Sequence, residues 1–267
     1  MKYLFLFFLA TGLLTVKAQA KIIIKKVEYS SEGKKFEGLL AYESSLSKGK
    51  RPGVVVFHNW MGITEETESK ITELAKLGLV AFAGDIHGKD IRPKNIKEAG
   101  ELATLYKNDR NLLRERVNLA LAELKKISTV DSHKLFASGY CFGGTAALEL
   151  GRSGADLLGI VSFHGGLSNP TPLDAKNIKA EVLVYHGGID PYVTAEEVAT
   201  FKKEMDEAKV TYQFTSFSKT VHSFTEKAAG NDITKGAAYN ALADARSWQG
   251  MKNFFAELIS TTNLQMQ

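Results

Sequence analysis

Runs of four or five apolar residues alternate along this chain with longer stretches in which apolar residues return at helical spacing. The short runs suit strands covered on both faces, and the longer ones suit amphipathic helices. Val27 to Ser30 and Phe36 to Glu43 read as opening strands, joined as a hairpin through Ser31-Glu32-Gly33-Lys34. After Arg51-Pro52-Gly53, Val54 to Phe57 is an uninterrupted apolar strand, followed by a helix from about Glu65 to Leu77 that Gly78 stops. Leu79 to Ala83 is the next strand. Residues 94–128 read as helical on Leu102, Leu105, Leu112, Leu113, Val117, Leu121 and Leu124. Strand Lys134 to Ser138 then runs into a glycine-rich turn and a helix of small residues, Phe142 to Arg152. Leu158 to Phe163, Val182 to Tyr185 and Val210 to Phe217 are further strands. Thr194 and Glu197 have capping-box spacing for a helix to Ala208, and Ala237 to Ile259 closes the chain. This alternation predicts a doubly wound, mostly parallel sheet with helices on both faces.

The N-terminus has a different grammar. Lys2 precedes an apolar run, Tyr3 to Val16, and Ala18-Gln19-Ala20 offers a small-x-small cleavage site. That is the pattern of a signal peptide at residues 1–20, with a mature chain beginning at Lys21 and no stable membrane anchor after cleavage. The expected location is periplasmic or secreted. Taking twenty residues from 267 leaves 247, the size of one large α/β domain spanning 21–267. Lys2 and Lys17 leave with the signal, so the formal charge of +4 falls to +2. No basic field then points to nucleic acid. No motif calls for a cofactor or metal, and the expected state is a monomer or small homo-oligomer.

The chain has a single cysteine, which cannot form an internal disulfide. A lone Cys is often a small buried hydrophobe, but this one occupies a special turn. Gly139-Tyr140-Cys141-Phe142-Gly143-Gly144 has the G-x-nucleophile-x-G spacing of a nucleophile elbow. The turn is tight, so the residues two before and two after the nucleophile must be small. It also puts the sulfur at a helix N-terminus, which favours thiolate. An α/β-hydrolase then needs an acid and a base in that chain order. Asp190 follows the strand ending near Tyr185, and His222 follows the last strand. Alone, Asp190 could be a turn aspartate and His222 a surface histidine. In this order they propose a Cys141-His222-Asp190 triad, with oxyanion donors from the N–H of Phe142 and of Trp60 in the loop after Phe57.

These stretches, with His186 to Pro191 and His222-Ser223-Phe224, resemble the dienelactone hydrolase family, a Cys-nucleophile branch of the α/β-hydrolases. The resemblance spans nearly the whole mature domain and implies an α/β-hydrolase fold. It implies carboxymethylenebutenolidase-like cleavage of small-molecule esters or lactones through an acyl-cysteine, with the same triad and oxyanion residues. Two features depart from the family. Where members that open dienelactones carry a glutamate, this chain has Asn59. A substrate carboxylate would want cations, for which Lys89 and Arg92 are the candidates, while Glu226 beyond His222 has the wrong sign. Asn59, Met61 and Tyr192 complete the substrate-pocket candidates. The competing readings are thioester cleavage on the same triad and an inactive hydrolase fold kept for binding.

Overall fold

The computed structural model describes residues 21–46 and 49–265, and the predicted signal peptide, residues 1–20, lies outside them. The opening hairpin joins β1 (Ile22–Ser31) to β2 (Lys34–Glu43), with Glu32 and Gly33 both at positive φ in the turn. Its first strand starts five residues earlier than the apolar pattern predicts, because Ile22 pairs with Glu43 at the far end of β2. β3 (Arg51–Phe57), β4 (Val80–Gly84), β5 (Val130–Tyr140), β6 (Gly159–Phe163), β7 (Glu181–Gly187) and β8 (Tyr212–Phe217) follow. The sheet order is β1-β2-β4-β3-β5-β6-β7-β8. β1 and β2 run antiparallel, and the other six strands are mutually parallel. With helices on both faces, this is the α/β-hydrolase fold.

The period-two alternation of β3 shows how the core is divided. Val55 and Phe57 face one apolar cluster, with Leu113, Val117 and Leu124 of α3 (Arg110–Lys126), Leu148 of α4 (Phe142–Arg152) and Phe201 of α5 (Ala195–Ala208). Val54 and Val56 face the other, with Ile71 and Leu74 of α1 (Glu65–Lys76) and Met251 and Phe255 of α6 (Ala241–Gln265). Each of these large side chains that is fully buried contributes roughly 1.5–3 kcal/mol relative to exposure.

Two local expectations need correction. The helical stretch 94–128 is not continuous: α2 (Ile96–Asn108) ends and α3 begins at Asp109, whose carboxylate accepts the Leu112 N–H. An aspartate that caps the next helix offers its backbone a way out of the current one. Thr194 does cap α5, its hydroxyl accepting the Glu197 N–H at 3.1 Å. Glu197 does not reach back to close a capping box. Its Oε1 instead accepts the N–H groups of Leu167 and Ser168, at 2.6 and 2.9 Å, pinning the loop after β6.

Candidate active site

β5 delivers Cys141 to the carboxyl edge of the sheet, where ligands of open α/β folds gather. The residue has φ +55° and ψ −118°, a region that non-glycine residues rarely enter and that costs about 1–3 kcal/mol. Its N–H is held by Phe163 O at 3.0 Å and His164 Nδ1 at 3.1 Å. Crowding sets the neighbours. A Cβ on Gly139 would lie 1.9 Å from Gly143 O, and one on Gly143 would lie 2.1 Å from Phe57 O. Only glycines let α4 start this close to β3 and β5.

The structure brings the three residues of the predicted triad together. His222 Nε2 lies 3.1 Å from Cys141 Sγ, and His222 Nδ1 lies 2.8 Å from Asp190 Oδ2. Asp190 is buried, and its other oxygen accepts the Tyr192 N–H at 2.8 Å. The His222 backbone is bonded on both sides, its N–H to Gly236 O and its carbonyl to Ala238 N–H. Burial works against a charged His222 ring, but the hydrogen bonds to Asp190 and Cys141 outweigh it and hold the pKa up at about 10. Both contacts favour the protonated form of the ring.

The two oxyanion candidates lie at the start of α4 and in the loop after β3. Phe142 is the first residue of α4, where N–H groups have no carbonyl partner within the helix. Its ring is turned away into the core against His87 and Tyr106. Trp60 lies at the bend of a turn closed by two bonds to Asn59: Met61 N–H to Oδ1 at 2.9 Å and Gly62 N–H to the carbonyl at 3.2 Å. The Asn59 amide donates in turn to Glu226 Oε1 at 3.3 Å. Tyr192, 61% exposed, presents its ring edge-on to His222, with centroids 5.3 Å apart.

Lys89 and Arg92 are engaged elsewhere. Arg92 makes a paired contact with the buried Asp85 carboxylate, at 3.2 and 3.0 Å, and also donates to Gly88 O. Lys89 bonds Glu28 and lies 3.7 Å from Glu37 Oε2. The loop after β4 thus spends both cations on its own anchoring.

Sequence reasoning gave His164 no role, yet it braces the elbow. Its Nδ1 accepts the Cys141 N–H, so its Nε2 carries the proton and donates to Thr225 Oγ1 at 2.8 Å. Burial, then the neighbouring His222, pushes its pKa well down, and it stays neutral. His58 ties two loops together in the same way, donating from Nδ1 to Asn59 O and accepting the Ile86 N–H at Nε2. The signal was present in the sequence as histidines at strand ends. Which of them touches the sulfur depends on how far each loop reaches.

The profile of the dienelactone hydrolase family matches residues 36–259. A dienelactone hydrolase-like promiscuous phosphotriesterase from metagenomic libraries, P91, superposes with a TM-score of 0.84 at 38% identity, covering 89% of this chain and 98% of that one. A protein of Aquifex aeolicus that bears the provisional name carboxymethylenebutenolidase is 29% identical over 234 residues, 86% of this chain and 96% of its own. One of Bradyrhizobium, provisionally named a 2-oxo-3-(5-oxofuran-2-ylidene)propanoate lactonase, is 28% identical over 222 residues, 79% of this chain and 86% of its own. A match that runs unbroken from β2 into α6, across every loop that builds the site, makes this chain a member of the dienelactone hydrolase family.

Proposed function

We propose that this family member hydrolyses small carboxylic esters or lactones through a covalent acyl-Cys141 intermediate. The observation that carries the proposal is the continuous line from Asp190 through His222 to Cys141 Sγ, with bonds of 2.8 and 3.1 Å. The sulfur, as thiolate, attacks the carbonyl carbon and forms a C–S bond. The carbonyl oxygen takes the negative charge and is met by the N–H groups of Phe142 and Trp60. When the C–O bond breaks, protonated His222 gives its proton to the departing alkoxide. Neutral His222 then takes a proton from water as the water attacks the thioester. The second collapse releases the acid and restores the thiolate beside a protonated imidazole. Asp190 fixes which ring nitrogen faces the sulfur and stabilises the imidazolium.

Hydrolysis of p-nitrophenyl acetate by the mature chain tests this reading. Cys141→Ala and His222→Ala should each lose about 100-fold or more in kcat. Iodoacetamide should inactivate the wild type as one alkyl group enters Cys141. Full activity in the alkylated protein or in Cys141→Ala would overturn the mechanism.

The same reading takes the enzyme out of the cytoplasm. Lys2, the apolar run to Val16 and Ala18-Gln19-Ala20 support export with cleavage after Ala20.

A further inference from the structure

The carboxylate of Glu226 stands at the catalytic site with no part in the reaction derived above. It lies four residues beyond His222, half-buried, and its hydrogen-bond partners, Asn59 and Ser223, are neutral. Neither can offset its charge. The cations facing it are His222, which Asp190 already pairs, and Lys70 of α1, and Lys70 is shared. Its Nζ lies 3.7 Å from Asp244 Oδ1, donates to Thr225 O at 3.4 Å and sits 5.1 Å from the centre of the Tyr140 ring. Glu66, one turn before Lys70 on α1, faces the same group and interacts with Glu226, Lys70 and Asp244. Three carboxylates therefore surround one ammonium beside the catalytic pair, while the His222 charge is matched by Asp190. The cations of the β4 loop cannot redress the balance, because Asp85 and Glu28 hold them.

We propose that Glu226 sets the charge selectivity of the site, so that the enzyme takes esters or lactones whose acyl part is neutral or cationic and discriminates against those carrying a carboxylate near the reacting carbonyl. This rests on the ester-hydrolase reading and adds the substrate class to it. The physical basis is like-charge repulsion at a site whose sulfur and carboxylate are both partly exposed. There, one charge at several ångströms changes a rate by roughly two- to tenfold. Such an effect weakens as salt is added, whereas a change of shape does not.

Two matched pairs of reagents test it at pH 8.5 and low salt. Iodoacetate and iodoacetamide alkylate the same sulfur and differ in charge. Mono-p-nitrophenyl succinate and p-nitrophenyl butyrate are esters that differ chiefly in a terminal carboxylate. Glu226→Gln keeps an acceptor for the Asn59 amide and removes the charge. It should raise the iodoacetate-to-iodoacetamide rate ratio, and the succinate-to-butyrate ratio of kcat/KM, by about threefold. Both gains should shrink in 0.5 M NaCl. Asn59→Asp, which adds a charge at the same place, should move both ratios the other way. Unchanged ratios in a folded Glu226→Gln protein that still hydrolyses the butyrate would overturn the charge selectivity and leave the esterase reading standing. Altered alkylation ratios in a protein that hydrolyses neither ester would do the reverse.

Discussion

A histidine that keeps its proton up to about pH 10 acts first as an acid, and that fixes how the proposed reaction responds to pH. The proton is held because the ring lies between two groups that gain from it, the Asp190 carboxylate at 2.8 Å and the Cys141 sulfur at 3.1 Å. The folded pKa is raised above the ordinary histidine value, so the proton is present through neutral pH and is lost as pH rises through about 10. Acylation needs that proton on the leaving alkoxide. A pH profile of kcat/KM should therefore hold through pH 8–9 and fall with an apparent pKa near 10, a value belonging to the coupled pair. Asp190→Asn should move the alkaline limb down by at least about one unit and cut kcat by roughly 100-fold or more. An alkaline limb that stays put in that variant would show that Asp190 does not hold the proton. At this scale the sequence was most informative about the proximity of Cys141, His222 and Asp190, because order along the chain and position after a strand are both written in it. It said little about Lys89 and Arg92. Their partners, Glu28 and Asp85, come together with them only when β1 and β4 are in place.

The element that matters most is α4, and its position is set by what its first turn lacks. Gly143 presses against the carbonyl of Phe57 at the end of β3, so a methyl group there must push the helix off the sheet. Gly143→Ala should destabilise the fold by about 1–3 kcal/mol, read as a lower urea midpoint. It should also lose esterase activity in whatever fraction remains folded, because the Phe142 N–H moves with the helix. An alanine variant of wild-type stability and activity would contradict this packing. The elbow was legible because sterics leave glycine as its signature. Strand edges were less so: β5 begins at Val130 rather than near Lys134, since Val130 and Asp131 pair with Arg51 and Pro52 before a register shift in β3. The break at Asp109 was hidden for a similar reason, with apolar residues continuing at helical spacing on either side of it.

Across the whole molecule, the alternation of strands and helices foretold the layers, while the polar interior went unseen. Arg152 is fully buried at the end of α4 and binds Glu149 at 3.0 Å and Glu204 at 2.8 Å. Arg114 bridges Glu149 and Asp174 nearby. Nothing in local patterning distinguishes these charges from those on a solvated face, and long-range packing decides. Removing one partner would leave an uncompensated buried charge, so the network ties α3, α4 and α5 together as a unit. The proposed export belongs to this scale as well. Expressed in a bacterium with its leader, the protein should be recovered from the periplasm or medium with Lys21 as its first residue, as N-terminal sequencing would read. Full-length protein retained in the cytoplasm would contradict the assignment.

On the proposed route, Cys141 becomes acylated in every catalytic cycle. Rapid-quench mass spectrometry during turnover of p-nitrophenyl acetate would capture that species. The prediction is a single acetyl adduct that maps to the peptide carrying Cys141, appears within the first turnover and disappears as substrate runs out. Turnover with no adduct on that peptide, or with the adduct on another residue, would contradict it.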